Sequence, residues 1–253
     1  MLKLYHSEPG ANSLKCLIPL FEKGLAFESA YIDLHKFEQH DPRFIAINPE
    51  GQVPVLDHDG TIITQTSVIN EYLEDAFPDA PALRPSTPVG NARMRYWNKF
   101  IDEHVMNFVS MWGWHRFVGV LARGMESGDF DRLVERIPLH EQREKWKTAR
   151  SGFSEEDLAN AKRKIAVALD KVEAQLAETQ WLAGEMYTLA DINFYAHCGM
   201  YVARMFPDLT DEDRHPRLEA WRNRISERAA VKEALAMPDH TNPGLRTFSG
   251  EVH

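Results

Sequence analysis

Cysteine is nearly missing from this chain: only Cys16 and Cys198 occur, far apart. Two distant thiols supply no disulfide framework, so the chain reads as one kept reduced. An excess of positive charge is missing too. Lys and Arg number 29 against 38 Asp and Glu, a formal net charge of -9, with both signs spread throughout. A general nucleic-acid or acidic-membrane surface needs a basic face, so neither partner is expected. No apolar run is suited to span a bilayer. The most apolar stretch, residues 105–121, carries Asn107, His115 and Arg116 and reads as a buried helix face. No positively charged leader followed by an apolar run opens the chain, and a cytoplasmic location is expected. The histidines show no paired ligand spacing such as H-E-x-x-H, so no metal is expected. Internal repeats and low-complexity tracts are absent from the sequence.

What is present centres on Asn48-Pro49-Glu50-Gly51-Gln52-Val53-Pro54-Val55-Leu56. A proline directly before a short apolar strand removes its own backbone donor and marks a turn. If the Val53-Pro54 bond is cis, the main chain of Val53 is left unpaired and meets a ligand as a strand would. The stretch therefore predicts a peptide-binding edge.

The rest of the first third alternates strand and helix. Residues 1–6 predict a strand that ends in a turn at Pro9-Gly10. Ala11-Asn12-Ser13 opens a helix with Leu14, Leu17, Leu20 and Phe21 on one face and Gly24 as its stop. A second strand is expected over residues 30–33, a short helix at Asp41-Pro42, and a hairpin at Val55-Leu56-Asp57 and Ile62-Ile63 around Asp59-Gly60. A helix over residues 65–76 closes the unit. The order βαβ-α-ββα is that of a thioredoxin-like α/β layer, expected over residues 1–77. Pro78, Pro81, Pro85 and Pro88 make residues 78–90 a linker. Residues 91–253 then read as an all-helical domain, with a long helix or bent pair over 91–125 and helices over 155–178 and 218–228. Thr188-Leu189-Ala190-Asp191 is a capping arrangement, so Asp191 is a structural residue. From Pro238 onward, with Pro243-Gly244, an irregular end is expected, either over a pocket or mobile.

Two residues near the first helix carry chemistry. Ser13 reads either as a helix N-cap or as a hydroxyl that stabilises a thiolate. Ser13-Leu14-Lys15-Cys16 has the spacing of a redox C-x-x-C motif without its first cysteine. That excludes a thioredoxin-type disulfide and leaves Cys16 as a small apolar packing group. Phe108, Trp112, Trp114, His115 and Phe117 crowd one helix, as either core or an aryl pocket.

The combination Asn48-Pro49-Glu50-Gly51-Gln52-Val53-Pro54-Val55-Leu56, Gln65-Thr66, Glu71-Tyr72-Leu73 and Leu189-Ala190-Asp191 resembles the glutathione S-transferase family over almost the whole chain. The resemblance implies glutathione as cosubstrate, with its cysteine backbone against Val53 and Pro54. It implies Ser13 as the thiol activator, with Asn12 as a second amide donor. Gln65 and Thr66 would hold the γ-glutamyl end, where many members carry Glu-Ser; Gln39, His40 and Gln52 would hold the glycyl end. A homodimer is implied, and a mixed dimer is compatible. Pro9 to Lys15, Lys36 to His40, Glu71 to Pro78 and the charged stretch over residues 125–153 look similar to the bacterial glutathione-dependent β-aryl-etherases of lignin breakdown, the β(S)-selective branch in particular. That likeness implies thiolate displacement of a phenol from the carbon beside a ketone. Phe108, Trp112 and His115 are then the candidate pocket residues for an aromatic ether, with His115 and Trp112 as donors to the departing phenolate. The charged stretch itself reads as a solvated face. A transferase for another electrophile, such as a detoxifying conjugase or dehalogenase, and a noncatalytic ligand-binding subunit are the alternative readings.

Overall fold

The computed structural model describes residues 1–7, 10–210 and 213–238. Pro9, placed above in the first turn, and Pro243-Gly244 of the tail lie outside the described residues. Strand β1 (Leu2–His6) leads into helix α1 (Ala11–Glu22), strand β2 (Phe27–Tyr31), a 3-10 turn at Glu38–His40 and helix α2 (Pro42–Ile45). Strands β3 (Val55–His58) and β4 (Thr61–Thr64) and helix α3 (Thr66–Ala76) complete the first unit. The sheet order is β2-β1-β3-β4, with β2 parallel to β1 and the other pairs antiparallel. This is the thioredoxin-like layer expected from the element order. Its hairpin turns on Asp59 (φ 50°) and Gly60 (φ 88°), the paired positive φ values of a type I′ turn. Asp57 Oδ1 accepts from the Gly60 N–H at 2.7 Å and fixes the turn.

Strand β2 corrects the expectation of residues 30–33. It starts at Phe27 and ends at Tyr31, paired in register from Leu2↔Phe27 to His6↔Tyr31. Glu28 and Ser29 hid its start because they are the exposed residues of an edge strand, where Glu28 pairs with Lys3 at 2.8 Å. Asp33 belongs to the following turn: its Oδ1 accepts from the N–H groups of His35 and Lys36.

Helix α1 contains Pro19, which has no N–H to give the carbonyl of Lys15. Asn70 of α3 donates its Nδ2 to that oxygen at 2.8 Å. The buried acceptor is satisfied, and α1 is tied to α3 on one face of the sheet.

The helical part begins earlier than the expected linker over 78–90 allowed, because Pro88 sits in the first turn of a helix, where its missing N–H costs nothing: α4 (Pro88–His104), α5 (Met106–Gly113), a π-helical segment at Trp114–Val118, α6 (Gly119–Gly124), α7 (Ser127–Arg136) and α8 (His140–Ser151). Then come α9 (Glu155–Glu178), α10 (Leu189–Phe194), a second π-helical segment at Tyr195–Val202, α11 (Ala203–Met205), α12 (Pro216–Ser226) and α13 (Ala229–Leu235). The rod over 91–125 bends at Val105, whose φ of -118° separates α4 from α5. Helix α9 buries Leu158, Ile165, Leu169, Val172 and Leu176 along one stripe and is capped by Ser154, whose Oγ accepts from the Asp157 N–H. The fully buried Asp191 accepts from the N–H groups of Leu182 and Thr188, the Thr188 hydroxyl and Trp221 Nε1. It stitches α10 to α12 and has no access to solvent.

Residues 125–153 are not a solvated excursion. They fold as α7 and α8 and bury Phe130, Leu133, Val134, Ile137 and Trp146 around Phe37, a second core separate from the main one. Charge on the outer faces of two amphipathic helices disguised this. No helix among the described residues is long and apolar enough to cross a membrane.

Candidate active site

The Val53-Pro54 peptide bond is cis. Ahead of it, Asn48 is buried and holds the loop: its Nδ2 donates to the Gln52 carbonyl at 2.8 Å and its Oδ1 accepts from the Glu50 N–H at 3.1 Å. Asn48 stands in the motif but was not expected as a brace. Gly51 has φ 62°, and a Cβ there would come within 2.8 Å of His40 Nδ1 and 3.1 Å of the Gln39 carbonyl oxygen, so both conformation and space demand glycine. Val53 makes no main-chain hydrogen bond to another described residue, as a strand edge awaiting a peptide would.

A cavity of about 1200 Å³ opens on this edge. Gln39, His40, Gln52, Val53, Pro54, Gln65 and Thr66 all line it, so the structure brings together these seven expected residues. Gln39 Oε1 and His40 Nδ1 are buried without a hydrogen-bond partner, and burial, reinforced by Arg136, holds His40 neutral with a pKa near 4. The N-cap of α3 is Gln65, whose side chain turns to Glu50 rather than capping; the helix N–H groups are left for a carboxylate.

Asn12 and Ser13 part company. Asn12 is exposed at the N-terminus of α1 and lines the cavity. Ser13 is only 5% exposed, does not line the cavity, and accepts from the Ser7 N–H at 3.3 Å. Gly10 takes the N-cap position, so Ser13 is not the cap either. One residue along a helix is a rotation of about 100°, which turns the hydroxyl inward and the amide outward. Cys16 is wholly buried and its thiol is pushed up to about 12, an inert packing group.

The aromatic wall also differs from expectation. Phe108, Trp112 and His115 do not line the cavity. Trp112 donates Nε1 to the Leu158 carbonyl at 3.1 Å and packs edge-on against Phe206 and His115, while His115 reaches Phe153. The cavity is walled instead by Trp114, Phe117, Val118 and Leu121, joined by Gln142, Lys145 and Trp146 of α8. The cause is helical phase: Asn107, Ser110, Trp114, Phe117 and Leu121 follow one another at three- and four-residue spacing along the cavity face, and Phe108, Trp112 and His115 stand on the other face. Trp146 in turn packs on Phe37 at 5.1 Å, and Arg136 of α7 donates to the His40 carbonyl at 3.3 Å. The charged stretch thus clasps the loop that carries Gln39 and His40.

A thioredoxin-like sheet with an exposed peptide edge, backed by a helical domain that supplies an aromatic wall, defines a glutathione transferase. Residues 1–75 match the family Glutathione S-transferase, N-terminal domain, and residues 137–229 the family Glutathione S-transferase, C-terminal domain. The chain belongs to the glutathione S-transferase family. It is 43% identical over 236 residues to Protein LigF of Sphingobium sp. strain SYK-6, covering 92% of each chain. The crystal structure of the beta-etherase LigF from that strain superposes with a TM-score of 0.89 over 92% of this chain and 98% of that one. Glutathione transferase F7 from Populus trichocarpa, 25% identical, gives a TM-score of 0.70 over 92% of this chain and 97% of its own.

Proposed function

We propose that the protein cleaves the β-aryl ether bond of lignin-derived α-keto aryl ethers, using the glutathione thiolate to displace a phenol and leaving a glutathione thioether. The observation that carries this is the single cavity shared by the peptide edge and the wall of Trp114, Phe117 and Trp146. At about 1200 Å³ it exceeds the roughly 300–1,000 Å³ of an ordinary small-molecule pocket and suits two ligands side by side. The likeness to LigF, called a beta-etherase, supports the aryl ether as the second of them.

Val53 pairs with the cysteinyl backbone, the α3 N-terminus with the γ-glutamyl carboxylate, and Gln39, His40 and Gln52 with the glycyl end. The sulfur then faces the N-terminus of α1. A free thiol titrates near about 8.5, and lowering that by about 2 units takes roughly 2.7 kcal/mol. The helix terminus supplies up to about 2 kcal/mol and a hydrogen bond to an ionised sulfur about 1.5–3 kcal/mol. Asn12 gives the bond directly, while Ser13, held against the Ser7 N–H, steadies the turn from which Asn12 projects. Holding both reactants in one cavity makes displacement at the carbon beside the ketone effectively unimolecular. The protein acts as a cytoplasmic dimer, with the exposed Val68 of α3 and Val89 and Tyr96 of α4 as the apolar contact face.

The test is phenol release from each enantiomer of a β-aryl-ether ketone, with and without glutathione, with the thioether resolved on a chiral column. Glutathione-dependent release from one enantiomer with inversion is expected. No release from either, with glutathione bound, would end the etherase reading in favour of another electrophile or a quiet subunit.

A further inference from the structure

With Trp112 and His115 turned away, the departing aryl oxygen has no partner among the groups expected from sequence. Lys145 of α8 stands on the cavity wall beside Trp114 and Gln142. Its Nζ donates to Ser110 Oγ at 2.8 Å and lies 4.6 Å from the centre of the Trp114 ring. The other lysines drawn into the fold have carboxylate partners: Lys15 pairs with Asp102 at 3.0 Å and Lys23 with Glu74 at 2.9 Å. Lys145 has none within ion-pair distance among the described residues. A cation withdrawn from water without a counterion is costly, and a hydroxyl with an indole face answers only part of that cost. An ammonium carries three donors, and Ser110 takes one.

We infer that Lys145 receives the leaving group: as the glutathione thiolate bonds to carbon and the carbon–oxygen bond breaks, the electron pair left on the aryl oxygen is met by the Lys145 ammonium, which gives it a proton. The inference rests on the ether-cleaving reading. The proton balance closes. The thiol proton leaves to solvent when the thiolate forms, and Lys145 regains its proton from solvent after the phenol departs. Thiol and aryl ether become thioether and phenol. The acid strengths also match. Burial pulls the ammonium down to about 8, whereas an ordinary phenol, like tyrosine, titrates near about 10, so the transfer runs downhill. Charge stabilisation at an oxygen that becomes anionic only in the transition state accelerates the reaction without tightening the ground state.

Two variants and two leaving groups test this. Lys145→Met keeps the apolar stem without charge; Lys145→Arg keeps charge but cannot release a proton. With a methoxyphenol leaving group, Lys145→Met should lose about 100-fold in kcat, the scale of general acid catalysis, and Lys145→Arg should recover part of the loss. With a nitrophenol leaving group, which departs unaided, the loss should stay below about 5-fold. Equal losses with both, or a loss confined to the KM for glutathione, would overturn the role. Binding of 4-nitrophenol, read by absorbance at the pH where the free probe is half ionised, separates this inference from the one beneath it. The wild-type protein should shift the bound probe towards phenolate and Lys145→Met should not. A shift without phenol release from any aryl ether would sink the etherase reading and leave Lys145 as the oxyanion partner. Phenol release with neither the shift nor the leaving-group dependence would sink Lys145 alone.

Discussion

At Asn12 and Ser13, neighbours in sequence, the geometry separates a cavity-lining amide from a buried hydroxyl. In the proposed binding mode Asn12→Ala removes a hydrogen bond to an ionised sulfur, about 1.5–3 kcal/mol, so kcat/KM should fall roughly 10- to 100-fold and the bound thiol should ionise at higher pH. Ultraviolet titration of the enzyme–glutathione complex reads that shift; Ser13→Ala should change it little. If Ser13→Ala raised the thiol pKa as far as Asn12→Ala, the hydroxyl would be the contact after all. Two buried histidines set an acid limit. Burial holds His40 near 4 and, with the Lys15 charge adding, His197 near 3. Both are neutral in the folded chain, but the unfolded chain takes up protons near about pH 6.5. Between about pH 6.5 and 4 the unfolded state therefore binds more protons, and stability falls as pH falls. Urea midpoints across that window should drop, and His40→Gln should flatten the slope; an unchanged slope would remove His40 from the account.

At the scale of elements, α7 and α8 join the second core to the glutathione loop through Phe37, Trp146 and the Arg136 bond to the His40 carbonyl. Trp146→Ala removes a large buried ring, roughly 3–5 kcal/mol, and should speed hydrogen exchange in residues 37–40 as well as in α7 and α8. Exchange that quickened in α8 alone would show the clasp to be idle. Elsewhere Asp191→Ala strands three backbone and indole donors, an expected loss of about 4 kcal/mol and a melting temperature lower by roughly 10 °C. How far these elements were legible follows from where the information sits. Pro54, the Asp59-Gly60 turn, the stripe of α9 and the Thr188–Asp191 cap declare themselves through local stereochemistry, and each stands as expected. The seven residues for glutathione were reached through the resemblance, and they converge on one cavity. The aromatic cluster was legible but its cavity-facing members were not: Trp114 and Phe117 share a helix face with Asn107, Ser110 and Leu121, Phe108, Trp112 and His115 lie on the other, and composition does not say which face meets the cavity. Nor was α8, whose cavity face consists of Gln142, Lys145 and Trp146 among charges that look like solvent-facing ones.

For the whole molecule, Val68 of α3 and Val89 and Tyr96 of α4 are exposed large apolar side chains on the two helices that the Arg95–Glu71 ion pair joins, and they are the surface the proposed dimer would cover. Val68→Glu with Tyr96→Glu should halve the mass seen by light scattering; a wild-type chain that already runs as a monomer would refute the dimer. The continuity of the cavity reaches past binding and chemistry to the end of the cycle. In the proposed reaction phenol leaves as a small fragment, but the thioether is one molecule occupying both halves at once, and joining two ligands spares the second its loss of free motion. If that reaction is the one catalysed, the thioether should be its best inhibitor and product release should pace turnover. A rapid first turnover followed by a slower steady state is the expected time course, and a downstream thiol-exchanging or thioether-removing activity that drains the product would quicken the whole.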